Sequence, residues 1–143
     1  MKIINKNILD VNIGIIGHQA NCRGSMGSGL AKQIKNKYPS VYKEYVQCKQ
    51  THGLLLGMTT YTQVHQNLWV ANLMGQDHWK GTAPLTNYTA LSACLKTVNV
   101  RSEILGIPLY LPYKLGCGLA GGDWNIVSDM IDEIAPNAII CKL

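Results

Sequence analysis

Leu115-Gly116-Cys117-Gly118-Leu119-Ala120-Gly121-Gly122-Asp123-Trp124 lies between an apolar run at Ile107–Leu111 and a stretch with helical spacing. Ile126, Val127, Met130, Ile131 and Ile134 recur as one face of a helix there. The order is strand, glycine-rich turn, helix. Residues 116–121 satisfy G-x-G-x-x-G. Glycines in such a turn let backbone N–H groups face a phosphate at a helix N-terminus, where the helix dipole favours an anion. A dinucleotide-binding unit also needs a further strand and an acidic residue about 20 positions on. Only one short strand, Ala138–Cys141, follows here. A nicotinamide-binding unit therefore does not fit, whereas a phosphate loop does. Four glycines among residues 116–122 favour that reading over a turn without a ligand.

A second cluster lies upstream. His18-Gln19-Ala20-Asn21-Cys22-Arg23-Gly24-Ser25-Met26-Gly27-Ser28-Gly29 follows the apolar run Ile13–Ile16. Gly24 and Gly29 have the outer spacing of a Walker A loop, but Leu30-Ala31 stands where Lys-Ser/Thr would be needed. That way of holding a nucleotide triphosphate is excluded. What remains is a polar strand end and a loop, His18 to Ser28, opening a helix. Asn21 supplies an amide that can donate and accept, as a sugar hydroxyl requires.

The remaining pattern is consistent with an α/β chain. Lys2–Ile4 reads as a strand. Leu30, Ala31 and Ile34 read as a helix stopped by Pro39, and Ser40 can cap another with Val41, Tyr45 and Cys48 on its apolar face. Thr59–Val64 and Leu68–Leu73 read as a β-hairpin. Thr86 can cap a helix carrying Leu91, Leu95 and Val98, and Asp123 can cap the last helix. Alternating strands and helices predict one domain over 1–143, a three-layer α/β/α sandwich. The hairpin makes its central sheet mixed. Ligands in such sheets bind beyond the carboxyl ends of the strands, where both glycine clusters fall.

Composition narrows the classes. Hydrophobic residues make up 47% and charged residues 15%, enough for a core and too apolar for disorder. No apolar run reaches membrane-spanning length, and the first residues lack a secretory signal. The odd cysteine number, 5, without C-x-x-C spacing supports neither a disulfide framework nor a zinc site. A cytoplasmic location is the expectation. The net charge of +5 suggests an anionic partner. However, Lys32, Lys35, Lys37, Lys43 and Lys49 form one helical run, and Asp123, Asp129, Asp132 and Glu133 fall together elsewhere. With Arg23 and Arg101 the only arginines, a solvated lysine face is favoured over nucleic-acid contact.

Ile15-Ile16-Gly17-His18-Gln19-Ala20-Asn21, Gly27-Ser28-Gly29-Leu30-Ala31 and the 115–124 segment together resemble the macro domain family, which binds ADP-ribose. The wording is similar to the compact branch of ADP-ribose-1''-phosphate phosphatases and terminal ADP-ribose–glutamate hydrolases, which has phage-encoded members of similar size. A phage-encoded chain would act in the host cytoplasm. The resemblance implies a metal-independent hydrolase with no cofactor. Its partners would be ADP-ribose derivatives and ADP-ribosylated protein, with no membrane. Asn21 would contact the distal ribose beside Ala20, with Ser25, Met26, Gly27 and Ser28 lining it. Gly116, Cys117, Gly118, Leu119, Ala120 and Gly121 would wrap the diphosphate. Asn7, with Ile8 after it, matches the position of the family's adenine-binding Asp. The family's stacking aromatic is often Phe, which this chain lacks.

The resemblance also names candidates for chemistry. His18 matches a histidine implicated in catalysis; near its ordinary pKa it could orient water or protonate a leaving oxygen. A packed strand-end histidine is the alternative. Asp123 is either a carboxylate that positions water or simply a helix cap, and the two roles are compatible. In the glutamate-hydrolase branch the catalytic Asp directly follows Gly-Cys-Gly-Leu, where this chain has Ala120. Lys80 lies in the loop that carries that branch's lysine nucleophile, and a solvated role is favoured. Asp77 and His78 read as surface residues of the same loop, and Cys117 as a small packed thiol.

Overall fold

The computed structural model describes residues 1–143. Strands β1 (Lys2–Asn5), β2 (Gly14–Asn21), β3 (Thr59–His65), β4 (Leu68–Gln76), β5 (Leu109–Pro112) and β6 (Ile139–Lys142) form one sheet in the order β1-β6-β5-β2-β4-β3. Every neighbouring pair is parallel except the β3–β4 hairpin, so the sheet is mixed. Helices α1 (Gly29–Lys37) and α2 (Pro39–Thr51) cover one face; α3 (Tyr88–Leu105) and α4 (Trp124–Ile134) cover the other. The three-layer expectation holds.

Strand alternation divides the core in two. Ile16, Ala20, Val70 and Met74 pack toward Ile34, Val41 and Tyr45. Their neighbours Ile15, Ala71, Leu73 and Leu111 pack toward Leu91, Leu95, Val127 and Ile131. Each fully buried aliphatic side chain of this kind contributes about 1.5–3 kcal/mol.

Several local expectations change. The polar segment from His18 is not loop at its start: β2 continues to Asn21, paired along β4 as far as Gln76. α2 starts at Pro39 with Tyr38 as its cap, not Ser40. Proline fits a first helical position because its missing N–H has no helical partner there. Asn87, not Thr86, caps α3 by accepting from the Ala90 N–H at 2.9 Å. β5 starts at Leu109, because Ile107 still closes α3: its N–H reaches Ser102 O beyond left-handed Gly106.

Candidate active site

The carboxyl ends of β2, β4 and β5 open into one cavity of about 590 Å³. Both glycine loops line it. On the first side are Ala20, Asn21, Ser25, Met26, Gly27, Ser28 and the first turn of α1; on the second are Gly116, Gly118, Leu119 and Ala120.

Many N–H groups of this lining have no partner within the chain. Those of Met26, Gly27, Ser28, Gly29, Leu30 and Ala31 are all free, because Ser28 caps α1 without a side-chain hydrogen bond. In the second loop the N–H groups divide into two sets. Those of Cys117, Gly121 and Gly122 bond to Lys114 O, Gly118 O and Gly116 O, closing the loop on itself. Those of Gly116, Gly118, Leu119 and Ala120 remain free, and these four residues line the cavity. Two sets of unpartnered backbone donors thus border one space, which suits an extended anion.

Asn21 holds the first loop together. Its Oδ1 accepts from the N–H groups of Arg23 (2.9 Å) and Ser25 (3.3 Å), and its Nδ2 donates to Ser25 O at 2.9 Å. The Tyr45 hydroxyl reaches the same residue from α2. Asn21 therefore builds the first loop, leaving one amide hydrogen for a ligand.

His18 lines the cavity yet is only 1% exposed. Its Nε2 lies 2.6 Å from Asn72 Oδ1, and its Nδ1 has no partner. Burial lowers its pKa to about 4, partly countered by the Asn72 bond. The expectation of an ordinary pKa is corrected: at neutral pH the ring is uncharged and donates no proton to a leaving group from an imidazolium.

Asp123, Cys117, Gly121, Asn7 and Ile8 do not line the cavity. Asp123 is exposed and caps α4, its Oδ1 accepting from the Asn125 N–H at 2.9 Å. Cys117 donates to Leu115 O, and burial with nearby Asp123 pushes its thiol pKa up, against a nucleophilic role. Asn7 caps a short 3-10 turn by accepting from the Leu9 N–H, and Ile8 is core. Lys80 is exposed, with its Nζ 4.6 Å from the centre of the Trp79 ring.

Sequence reasoning overlooked Gln19, Gln76, Trp79, Tyr113 and Lys114, all of which line the cavity. Their position immediately at or after the ends of β2, β4 and β5 is the signal that could have found them. Lys114 is the one charged side chain in the lining, and the one non-glycine residue with positive φ, 60°. Trp79 and Tyr113 provide aromatic faces where Phe is missing.

The segment 77–86 ties the two loops together. The Cys22 N–H donates to Asp77 O at 3.0 Å, and Arg23 pairs with the Asp77 carboxylate at 2.9 Å. At the other end the Leu85 N–H donates to Ala120 O at 2.7 Å, and Thr86 Oγ1 donates to Gly116 O. Gln19 Nε2 donates to both Thr86 Oγ1 and Gln76 Oε1. No three His, Cys, Asp or Glu side chains cluster to hold a metal ion, and no helix is long and apolar enough to cross a membrane.

The Macro domain family model matches residues 18–131. The chain is 45% identical over 150 residues to an ADP-ribose 1''-phosphate phosphatase of Debaryomyces hansenii, covering 85% of this chain and 83% of that one. It is 26% identical over 129 residues to a DNA ADP-ribosyl glycohydrolase of Mycobacterium tuberculosis, covering 87% of this chain but 36% of that protein. A solved Bacteroides thetaiotaomicron protein of unknown function superposes with a TM-score of 0.88 at 27% identity, covering 98% of this chain and 95% of that one.

Proposed function

This chain belongs to the macro domain family, and from that premise we propose that it binds ADP-ribose and hydrolyses ADP-ribose derivatives, ADP-ribose-1''-phosphate first. The observation that carries the reading is the pair of free backbone N–H sets bordering one cavity. A diphosphate bridged between them meets oriented donors that need no reorganisation. The distal ribose lies against the 25–28 segment, within reach of the remaining Asn21 amide hydrogen. The purine lies toward Tyr113, beyond the second loop.

In the reaction, water attacks phosphorus, the bond from phosphorus to the 1''-oxygen breaks, and that oxygen takes a proton. The products are ADP-ribose and inorganic phosphate. The chain's contribution is position and electrostatics: amides stabilise the charge on the transferring phosphoryl group, and His18 and Asn21 shape the ribose end. The D. hansenii relative carries this activity in its name. Cleavage of an ADP-ribosyl ester at the same carbon is the alternative reaction.

A second reading is an ADP-ribose reader without catalysis. It is favoured by the cavity's lack of a carboxylate and by the depressed pKa of His18. One experiment separates these readings. Calorimetry with ADP-ribose is run beside product release from 1''-phosphate, O-acetyl and glutamate-linked substrates. Phosphate release that falls in His18→Ala supports the first reading. Binding without any release gives the reader, and absence of binding removes both.

A further inference from the structure

Three polar side chains on adjacent strands form a row beneath the cavity, with His18 and Asn72 buried and Thr60 half-buried. His18 on β2 stands opposite Asn72 on β4, which stands opposite Thr60 on β3. Asn72 Nδ2 donates to Thr60 Oγ1 at 3.1 Å. With Nδ2 engaged there, Asn72 presents Oδ1 to His18. An amide oxygen can only accept, so Nε2 of His18 must carry the ring proton of their 2.6 Å bond. The neutral ring then has a bare lone pair on Nδ1. That atom is buried without a partner, in a residue that lines the cavity. A buried acceptor left empty is costly, and a ligand donor would recover that cost.

We infer that Asn72 is a positioning residue that holds His18 in the Nε2–H tautomer, so that Nδ1 accepts a hydrogen bond from a ribose hydroxyl of the bound nucleotide. The inference rests on the ADP-ribose reading of the cavity and adds the polarity of its floor: an acceptor for hydroxyls, opposite walls that donate to phosphate. It assigns Asn72, which does not line the cavity, a part in ligand recognition. Glu44 on α2 is engaged by the Thr62 hydroxyl, and Lys114 is the one charged group of the lining.

The test is ¹⁵N NMR of the histidine rings with ADP-ribose titration, in the wild type and in Asn72→Asp. In the free wild type at pH 7, His18 should show a protonated Nε2 and an unprotonated Nδ1; the opposite tautomer overturns the inference whatever the ligand does. Adding ADP-ribose should move the Nδ1 resonance in the direction of hydrogen-bond acceptance. Binding that leaves it unmoved overturns the inference while the functional reading stands. No binding at all overturns both. Asn72→Asp places a carboxylate against Nε2 and favours the imidazolium, whose Nδ1 donates instead of accepting. Its affinity for ADP-ribose should fall about tenfold from pH 8 to pH 6 while the wild type changes little. A pH-independent Asn72→Asp affinity overturns the inference.

Discussion

Thr86 donates its hydroxyl hydrogen to the carbonyl oxygen of Gly116 at 2.6 Å, so a residue just before α3 holds the loop that follows β5. The Thr86 hydroxyl oxygen in turn accepts from Gln19 Nε2 at 2.9 Å, which joins the end of β2 to both. Replacing Thr86 by Val keeps the shape but leaves Gly116 O and Gln19 Nε2 short of partners. We expect a stability loss of about 1–3 kcal/mol by urea unfolding. ADP-ribose affinity should also fall several-fold by calorimetry, although Thr86 does not line the cavity.

The glycines of the second loop should separate into two kinds. A Cβ at Gly122 would lie 2.6 Å from Gly116 O, a backbone atom that cannot swing away. At Gly118 a Cβ meets nothing within 4 Å. Gly122→Ala should cost about 1–3 kcal/mol and weaken ligand binding by displacing the loop. Gly118→Ala should stay within about 0.5 kcal/mol of the wild type. Thermal melts of the two variants side by side check the contrast, and equal losses would contradict the loop geometry.

Asp123 is a cap before it is anything else. Asp123→Ala should destabilise α4 by about 1 kcal/mol, and Asp123→Asn should restore most of it, since asparagine caps as well. Hydrolysis rates per folded molecule should be unchanged in both. A loss of turnover of a hundredfold or more in Asp123→Asn, with normal melting, would return the carboxylate to the chemistry.

His18 predicts a pH dependence of stability. Its pKa is about 4 in the folded chain against an ordinary 6.5. Between those values the unfolded chain holds more protons, so stability rises with pH across that window. The contribution is complete above about pH 6.5 and is lost as pH falls toward 4, on the order of 3 kcal/mol in all. Urea unfolding at pH 7.5 and 4.5 should show a larger drop in the wild type than in His18→Gln.

The elements that announced themselves in the sequence were those whose cause is local. Asp123 sits one residue before an apolar helical face, and its cap was readable from that neighbourhood. Both glycine loops were placed at the correct sheet edge because each follows an apolar strand. The continuation of β2 through His18 to Asn21 was hidden, since a polar run reads as loop. Here it is strand because Asn72, 54 positions away, offers His18 a buried partner. Asn87 displaced Thr86 as the cap of α3 for the same kind of reason: Thr86 was already committed to Gly116, 30 positions distant. Trp79 and Tyr113 carried no periodic signal, and only the folded chain brings them to one cavity.

The segment from Asp77 to Thr86 is bonded to the first loop at one end and to the second at the other. The two walls of the cavity are therefore a single mechanical body. Part of the entropy of setting their spacing is spent when the chain folds rather than when a ligand arrives. A fragment bearing only the diphosphate and one bearing only the ribose each meet the geometry that the whole nucleotide meets. Joining two such fragments then strengthens binding through effective concentration rather than through any rearrangement of the protein.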